Sequence, residues 1–250
     1  MMAARAARSR TSFATSFAAR FDALVFDKDG TLLDFSATWD PAIAEAIEWS
    51  AAADLARQGE IAQALGFDME KRTCLVNAPV VHDSNTRLAE MLNPLTDGRG
   101  RDLIDKAADL VLDHVTPVPA ATSVLRALRE VGIRTAVCTN DDEAAARDQL
   151  KRLGWLEDEE PLVEHVFGCD SGHGSKPEAG MLLAAAAALG VPPSRCAMIG
   201  DAAGDLTASK RAGFAASFLV GPPSAVEHHA PLADFWIQDL EELILDGAPL

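Results

Sequence analysis

Ala23-Leu24-Val25-Phe26-Asp27-Lys28-Asp29-Gly30-Thr31 is the stretch on which the fold turns. Four apolar residues run directly into two carboxylates, a glycine and a hydroxyl. An apolar run of this kind, bounded by turn residues, predicts a buried strand that stops at Asp27. Side chains alternate along an extended chain, so Asp27 and Asp29 can share one side. Two carboxylates held together repel unless a cation or a proton lies between them. The stretch therefore reads as a metal site at a strand end, with a polar turn as the plain alternative. Later segments decide between the two.

Strand-like runs recur at 133–139, 163–168, 196–201, 215–220 and 234–237. Helical patterns separate the later ones. The apolar set Ala121, Val124, Leu125, Leu128, Val131 has helical spacing within 119–131. Acids open a helix predicted over 142–153, and Gly154 closes it. Pro177 is placed in the first turn of a helix over 177–189, and a further helix over 202–212 ends at Gly213. Strands alternating with helices imply a three-layer α/β core with a mostly parallel, Rossmann-like sheet.

Between Phe35 and Thr116 the pattern is helical, with no strand evident. Segments 39–57, 60–65, 85–92 and 101–114 are the expected helices, with Pro41 in the first turn of the first. An all-helical module inserted after the first strand is the reading. The expected layout is a catalytic core over 21–35 and 115–250, a helical cap over 36–114, and a leader over 1–20. That leader is rich in arginine and serine and has no acid before Asp22. It reads as a dispensable or disordered segment, with an organelle transit peptide as the alternative.

The chain has 250 residues and a formal net charge of -16. An acidic surface disfavours nucleic acid and anionic membranes as partners. It also repels phosphate esters at long range, so an anionic substrate needs a locally positive site. Magnesium can supply that. Cys74, Cys138, Cys169 and Cys196 are scattered and form no CxxC. Scattered thiols fit a reducing compartment, so a cytoplasmic protein is expected. The composition leaves the oligomeric state open.

Open parallel sheets bind ligands at the carboxyl ends of their strands. Three predicted strands end in groups suited to one site: Asp27 and Asp29, then Thr139-Asn140, then Asp201. Asp205 lies one helical turn beyond Asp201 and can share its face. Lys176 sits in a Gly-Ser-Lys-Pro loop between the last two. A hard divalent cation takes oxygen ligands, and magnesium takes one or two carboxylates plus water and phosphate oxygen. Thr139, Lys176 and backbone N–H groups are suited to hold phosphate oxygens. One carboxylate can attack phosphorus, and another can serve as acid and then as base. The inventory suits phosphoryl transfer.

The set resembles the haloacid dehalogenase-like hydrolase superfamily, all four of whose motifs occur in order: DKDGTL at 27–32, the strand ending in Thr139, Lys176 followed by proline, and GDAAGD at 200–205. The resemblance implies that Asp27 is the nucleophile and a magnesium ligand. Asp29 is then the general acid and base, with its backbone carbonyl on the metal. Thr139, Lys176 and an Asn140 backbone donor hold phosphate. Asp201 completes the metal shell, and Asp205 orients it rather than binding directly. The insertion resembles the cap of phosphoglycolate phosphatase-like members, which closes over the site and selects substrate. Lys28 stands where many relatives carry an apolar residue, and is expected to point away and pair with an acid elsewhere. Ala120 stands where many have glycine, which bears on loop shape.

The expected function is magnesium-dependent hydrolysis of a small phosphorylated metabolite through an aspartyl-phosphate. Asp29 separates this from carbon–halogen hydrolysis, whose leaving group needs no proton. Two rivals stay open: a phosphomutase on the same core, and a non-catalytic phosphate-binding module. An EF-hand loop from Asp27 would need glycine at position 32 and glutamate at 38, where Leu32 and Thr38 stand. A Walker loop needs Gly-Lys-Ser/Thr, and here serine precedes Lys176.

Overall fold

The computed structural model describes residues 20–75, 78–83, 85–157 and 159–244. The leader expected over 1–20 lies, apart from Arg20, outside the described residues. The chain forms two compact units. One runs to Leu33 and resumes at Pro117, and the other is Asp34–Thr116.

Strand β1 (Ala23–Phe26) is buried along its whole length. After it, the Leu32 and Leu33 N–H groups both donate to the Lys28 carbonyl at 2.9 Å, folding the chain back just past Asp29.

The second unit begins with α1 (Phe35–Ala51) and α2 (Leu55–Leu65). A single helix over 39–57 was the expectation, and the break has a local cause. Ala52 takes a left-handed φ of 49°, and Asp54 caps α2 by accepting from the Arg57 N–H at 3.0 Å. Asp34 caps α1 in the same way, accepting from Ala37 N–H at 3.0 Å. That cap starts the helix ahead of Pro41, which therefore lies inside it and not in the first turn. The unit is not wholly helical either. Strands β2 (Phe67–Asp68) and β3 (Thr73–Cys74) pair antiparallel. Buried Asp40 on α1 ties down β3, accepting from Thr73 Oγ1 at 2.8 Å and Cys74 N–H at 3.0 Å. Two-residue strands carry no readable alternation, which is why the pattern hid them. Helices α3 (Pro79–His82), α4 (Asn85–Leu92) and α5 (Gly100–Leu110) complete the unit. Its core gathers Ile43, Ile47, Ile61, Leu65, Leu88 and Leu103. Trp39 packs against that core, and Trp49 is 49% exposed.

In the first unit the chain continues through α6 (Ala121–Glu130), β4 (Arg134–Cys138), α7 (Glu143–Arg152) and β5 (His165–Phe167). It then forms α8 (Gly180–Ala188), β6 (Cys196–Gly200), α9 (Ala203–Ala212), β7 (Ala216–Val220), α10 (Pro223–Val226) and β8 (Phe235–Ile237). The α8 helix starts at Gly180, later than expected, because Glu178 N–H closes a turn onto the Ser175 carbonyl at 2.8 Å.

The six strands form one parallel sheet in the order β5-β4-β1-β6-β7-β8. Helices α8 and α9 pack on the face that carries Val25, Ala136, Cys138 and Met198. The alternate residues Leu24, Phe26, Val137 and Ile199 are also fully buried, so both faces are covered. Each such large side chain contributes roughly 1.5–3 kcal/mol relative to exposure. The order reverses at β1, with β4 on one side and β6 on the other. That switch point is where such sheets bind ligands. Among the described residues no helix is long and apolar enough to cross a membrane.

Candidate active site

The carboxyl ends of β1, β4 and β6 deliver the polar groups together. Phe26 aligns with Val137 and Ile199, and the Asp27 N–H donates to the Ile199 carbonyl at 2.8 Å. Ligand oxygens of Asp27, Asp201 and Asp205 lie within 4.8 Å of one another. Lys176 enters from its loop, with its ammonium against Asp27 Oδ1 and 2.7 Å from Asp205 Oδ1. Asp27, Lys176 and Asp205 are all buried.

Three carboxylates around one ammonium leave excess negative charge. Burial pushes the Asp27 carboxyl up to about 7; Lys176 pulls the other way, and Asp205 adds to the rise. Burial also lifts Asp201 well above the usual carboxylate range, with Asp27 and Asp205 adding repulsion. Burial disfavours the Lys176 charge, but Asp205 and Asp27 outweigh it and hold the ammonium above its ordinary range. Without further positive charge the cluster keeps protons it would lose in water.

The backbone also leaves room for Asp201. Gly30 has φ +80°, and a Cβ there would lie 2.2 Å from Asp201 Oδ2. The donor set and its charge therefore fit a hard divalent cation. Asp27 and Asp201 are the ligands it offers most directly. Asp205 is engaged elsewhere, with Oδ1 on Lys176 and Oδ2 accepting from the Ala202 N–H at 3.1 Å. The side chain of Asp29 is not part of this oxygen cluster.

Asp29 is held instead by Lys28, whose ammonium lies 2.5 Å from Asp29 Oδ2 and 3.2 Å from Asp141 Oδ2. An acid elsewhere in the chain was expected for Lys28 without being identified, and it is Asp141; the lysine does not point away from the site, because it also pairs with the adjacent Asp29. Thr139 is buried, and its hydroxyl oxygen accepts from the Asp141 N–H at 3.1 Å, leaving its O–H to donate. The Asn140 side chain does something the sequence did not suggest. It accepts from Lys176 N–H at 2.9 Å and donates to the Lys176 carbonyl at 3.0 Å.

The pattern of the haloacid dehalogenase-like hydrolases matches residues 21–213. This chain belongs to that family. It is 32% identical over 173 residues to a phosphoglycolate phosphatase of Chromobacterium violaceum, covering 68% of this chain and 76% of the relative. A haloacid dehalogenase family hydrolase of Deinococcus radiodurans, solved with bound phosphate and sodium, is 24% identical. It superposes with a TM-score of 0.63 over 90% of this chain and 94% of its own. The L-2-haloacid dehalogenase of Xanthobacter autotrophicus superposes with a TM-score of 0.58 at 18% identity, over 89% of this chain and 96% of its own. The fold thus serves carbon–halogen and phosphate-ester chemistry alike, and the side chains must decide.

In this haloacid dehalogenase-like chain, sequence reasoning missed Asp141 and Gln149, which join Lys28 in a buried network. Asp141 follows Thr139-Asn140 directly, so its proximity to the site was readable. The partner of Gln149, 121 positions away, was not.

Proposed function

We propose that the chain is a magnesium-dependent phosphatase acting on a small phosphorylated metabolite. The convergence of Asp27, Asp201, Asp205 and Lys176 at one sheet rim carries this reading. Asp27 attacks phosphorus, the ester P–O bond breaks, and an aspartyl-phosphate forms. The leaving alkoxide takes the Asp29 proton. Asp29 then removes a proton from water, which attacks the same phosphorus and releases phosphate and free Asp27. Lys176 and the Thr139 hydroxyl hold phosphate oxygens, and Asn140 fixes the lysine loop. Asp27 and Asp201 would hold magnesium, with Asp205 setting Lys176 in place. Bound there, the ion supplies positive charge that lets a carboxylate approach an anionic ester.

The similarity to a phosphoglycolate phosphatase makes 2-phosphoglycolate the first substrate to assay. Purified protein should release inorganic phosphate from it and from para-nitrophenyl phosphate only when magnesium is present. Asp27→Asn should abolish release while the fold survives. No turnover across several metals and many phosphate esters would overturn the reading. Isomer formation in place of phosphate release would make the chain a mutase.

A further inference from the structure

Lys28 is fully buried, and its ammonium sits among three acceptors from three parts of the core. Asp29 Oδ2 is 2.5 Å away, Asp141 Oδ2 3.2 Å, and Gln149 Oε1 2.6 Å. The ammonium donates to Gln149 Oε1 and forms ion pairs with the two carboxylates. Two of the three acceptors belong to a buried frame. Gln149 is fully buried on α7. Asp141 is fixed by its own backbone: its N–H donates to Thr139 Oγ1 at 3.1 Å, and its Oδ1 accepts from Asp142 N–H at 2.8 Å. The third acceptor, Asp29, has the most exposed side chain of the two carboxylates, 19% against 8%. The lysine thus ties the more exposed carboxyl to a buried, hydrogen-bonded frame.

We propose that Lys28 is a positioning residue, holding the Asp29 carboxyl in the orientation from which it serves the leaving group. The proposal rests on the phosphatase reading of the site. Proton transfer needs the acid within hydrogen-bond reach of the departing oxygen, and a misplacement of about 1 Å can cost about 10²-fold. An aspartate side chain turns about two torsions, and a buried ammonium on one oxygen removes that freedom. A lysine serving stability alone would affect all substrates equally. A lysine serving Asp29 matters most where the leaving group needs a proton.

The test compares an alkyl phosphate with para-nitrophenyl phosphate, in magnesium, for wild type and two variants. Lys28→Met keeps most of the unbranched side chain but removes the positive charge facing buried Asp141, which destabilises. Lys28→Met with Asp141→Asn removes both charges. In either variant the kcat ratio of alkyl to nitrophenyl substrate should fall about tenfold or more, as part of the roughly 10²–10⁴ that a positioned acid supplies. KM should stay near the wild-type value for both substrates. An unchanged ratio, with both substrates losing equally or neither losing, overturns the proposal. Loss of the native fold in both variants would assign the lysine to stability and likewise overturn it. Failure of the wild type on every ester would strike the phosphatase reading, a result distinct from failure of the variants to discriminate.

Discussion

The Asn140 side chain and the Lys176 backbone exchange two hydrogen bonds, at 2.9 and 3.0 Å. One residue at the end of β4 thereby fixes the loop that delivers the ammonium beside Asp27. Asn140→Ala removes both bonds and leaves a backbone N–H and a carbonyl without these partners. The expected loss of stability is about 1–3 kcal/mol, measurable by urea unfolding. The expected loss in kcat/KM for nitrophenyl phosphate is about tenfold, or about 1.4 kcal/mol. Asn140→Asp keeps the acceptor and loses the donor, so its effect should be intermediate in stability. Full activity in a folded Asn140→Ala would remove the clamp from the account of the site.

Ala120 precedes α6 with φ 67°, in the left-handed region. A residue with a Cβ pays roughly 1–2 kcal/mol there. Glycine avoids that strain but carries about 0.5–1 kcal/mol of extra unfolded-state freedom. Ala120→Gly should therefore stabilise the protein by about 0.5–1 kcal/mol, raising Tm by about 1–4 °C. A lower Tm would show that Ala120 contributes more by packing than it loses in backbone strain.

The legible parts of this molecule are those written in local chemistry. Strands β1 and β6 are apolar runs and β4 closes on one, and all three stop at a carboxylate or hydroxyl, so their ends could be assigned within a residue. The order of Asp27, Thr139, Lys176 and Asp201 was readable because sheet topology brings strand ends together. Lys28 resisted in part: a pairing with an acid was expected, but away from the site, and its partners Asp29, Asp141 and Gln149 are set by packing. Pro41 resisted because the cap at Asp34 starts the helix ahead of it, so that the proline falls inside α1. The β2–β3 pair is held by Asp40, a contact no pattern within two residues can announce.

Burial raises Asp27 to about 7, and it raises Asp201 and Asp141 as well. Between the unfolded value of 3.8 and the folded one, the native state binds the more protons. Stability of the metal-free protein is therefore greatest toward the acid side of that window and falls as pH rises from about 4 to about 7. The lowered carboxyls of Asp22, Asp68 and Glu143 act in the opposite sense, below their unfolded values. A divalent cation competes with the bound protons, so its stabilising effect should grow with pH. Thermal unfolding of chelator-treated protein, with and without magnesium at about pH 5 and about pH 7.5, reads this directly, the first value lying inside the window and the second above it. A magnesium increment in Tm that is larger at the lower pH would argue against the Asp27–Asp201–Asp205 cluster as the cation site.

Gly30 makes the sharpest demand on the site, because two independent effects converge on it. Its φ of +80° costs any residue with a Cβ, and that Cβ would lie 2.2 Å from Asp201 Oδ2 and 2.8 Å from Asp201 Cγ. The backbone effect alone is about 1–2 kcal/mol. Relieving the clash requires the Asp201 carboxylate or the Gly30 turn to shift. Gly30→Ala should therefore raise the magnesium concentration needed for half-maximal activity by about tenfold or more, since losing about 1.4 kcal/mol of ion binding has that effect. Saturating magnesium should restore part of kcat, because Asp27, Asp29 and Lys176 remain in the chain. Titration of activity against magnesium, beside a urea unfolding curve, separates the two effects. A variant that loses stability but keeps the wild-type magnesium dependence would mean that Asp201 does not hold the ion.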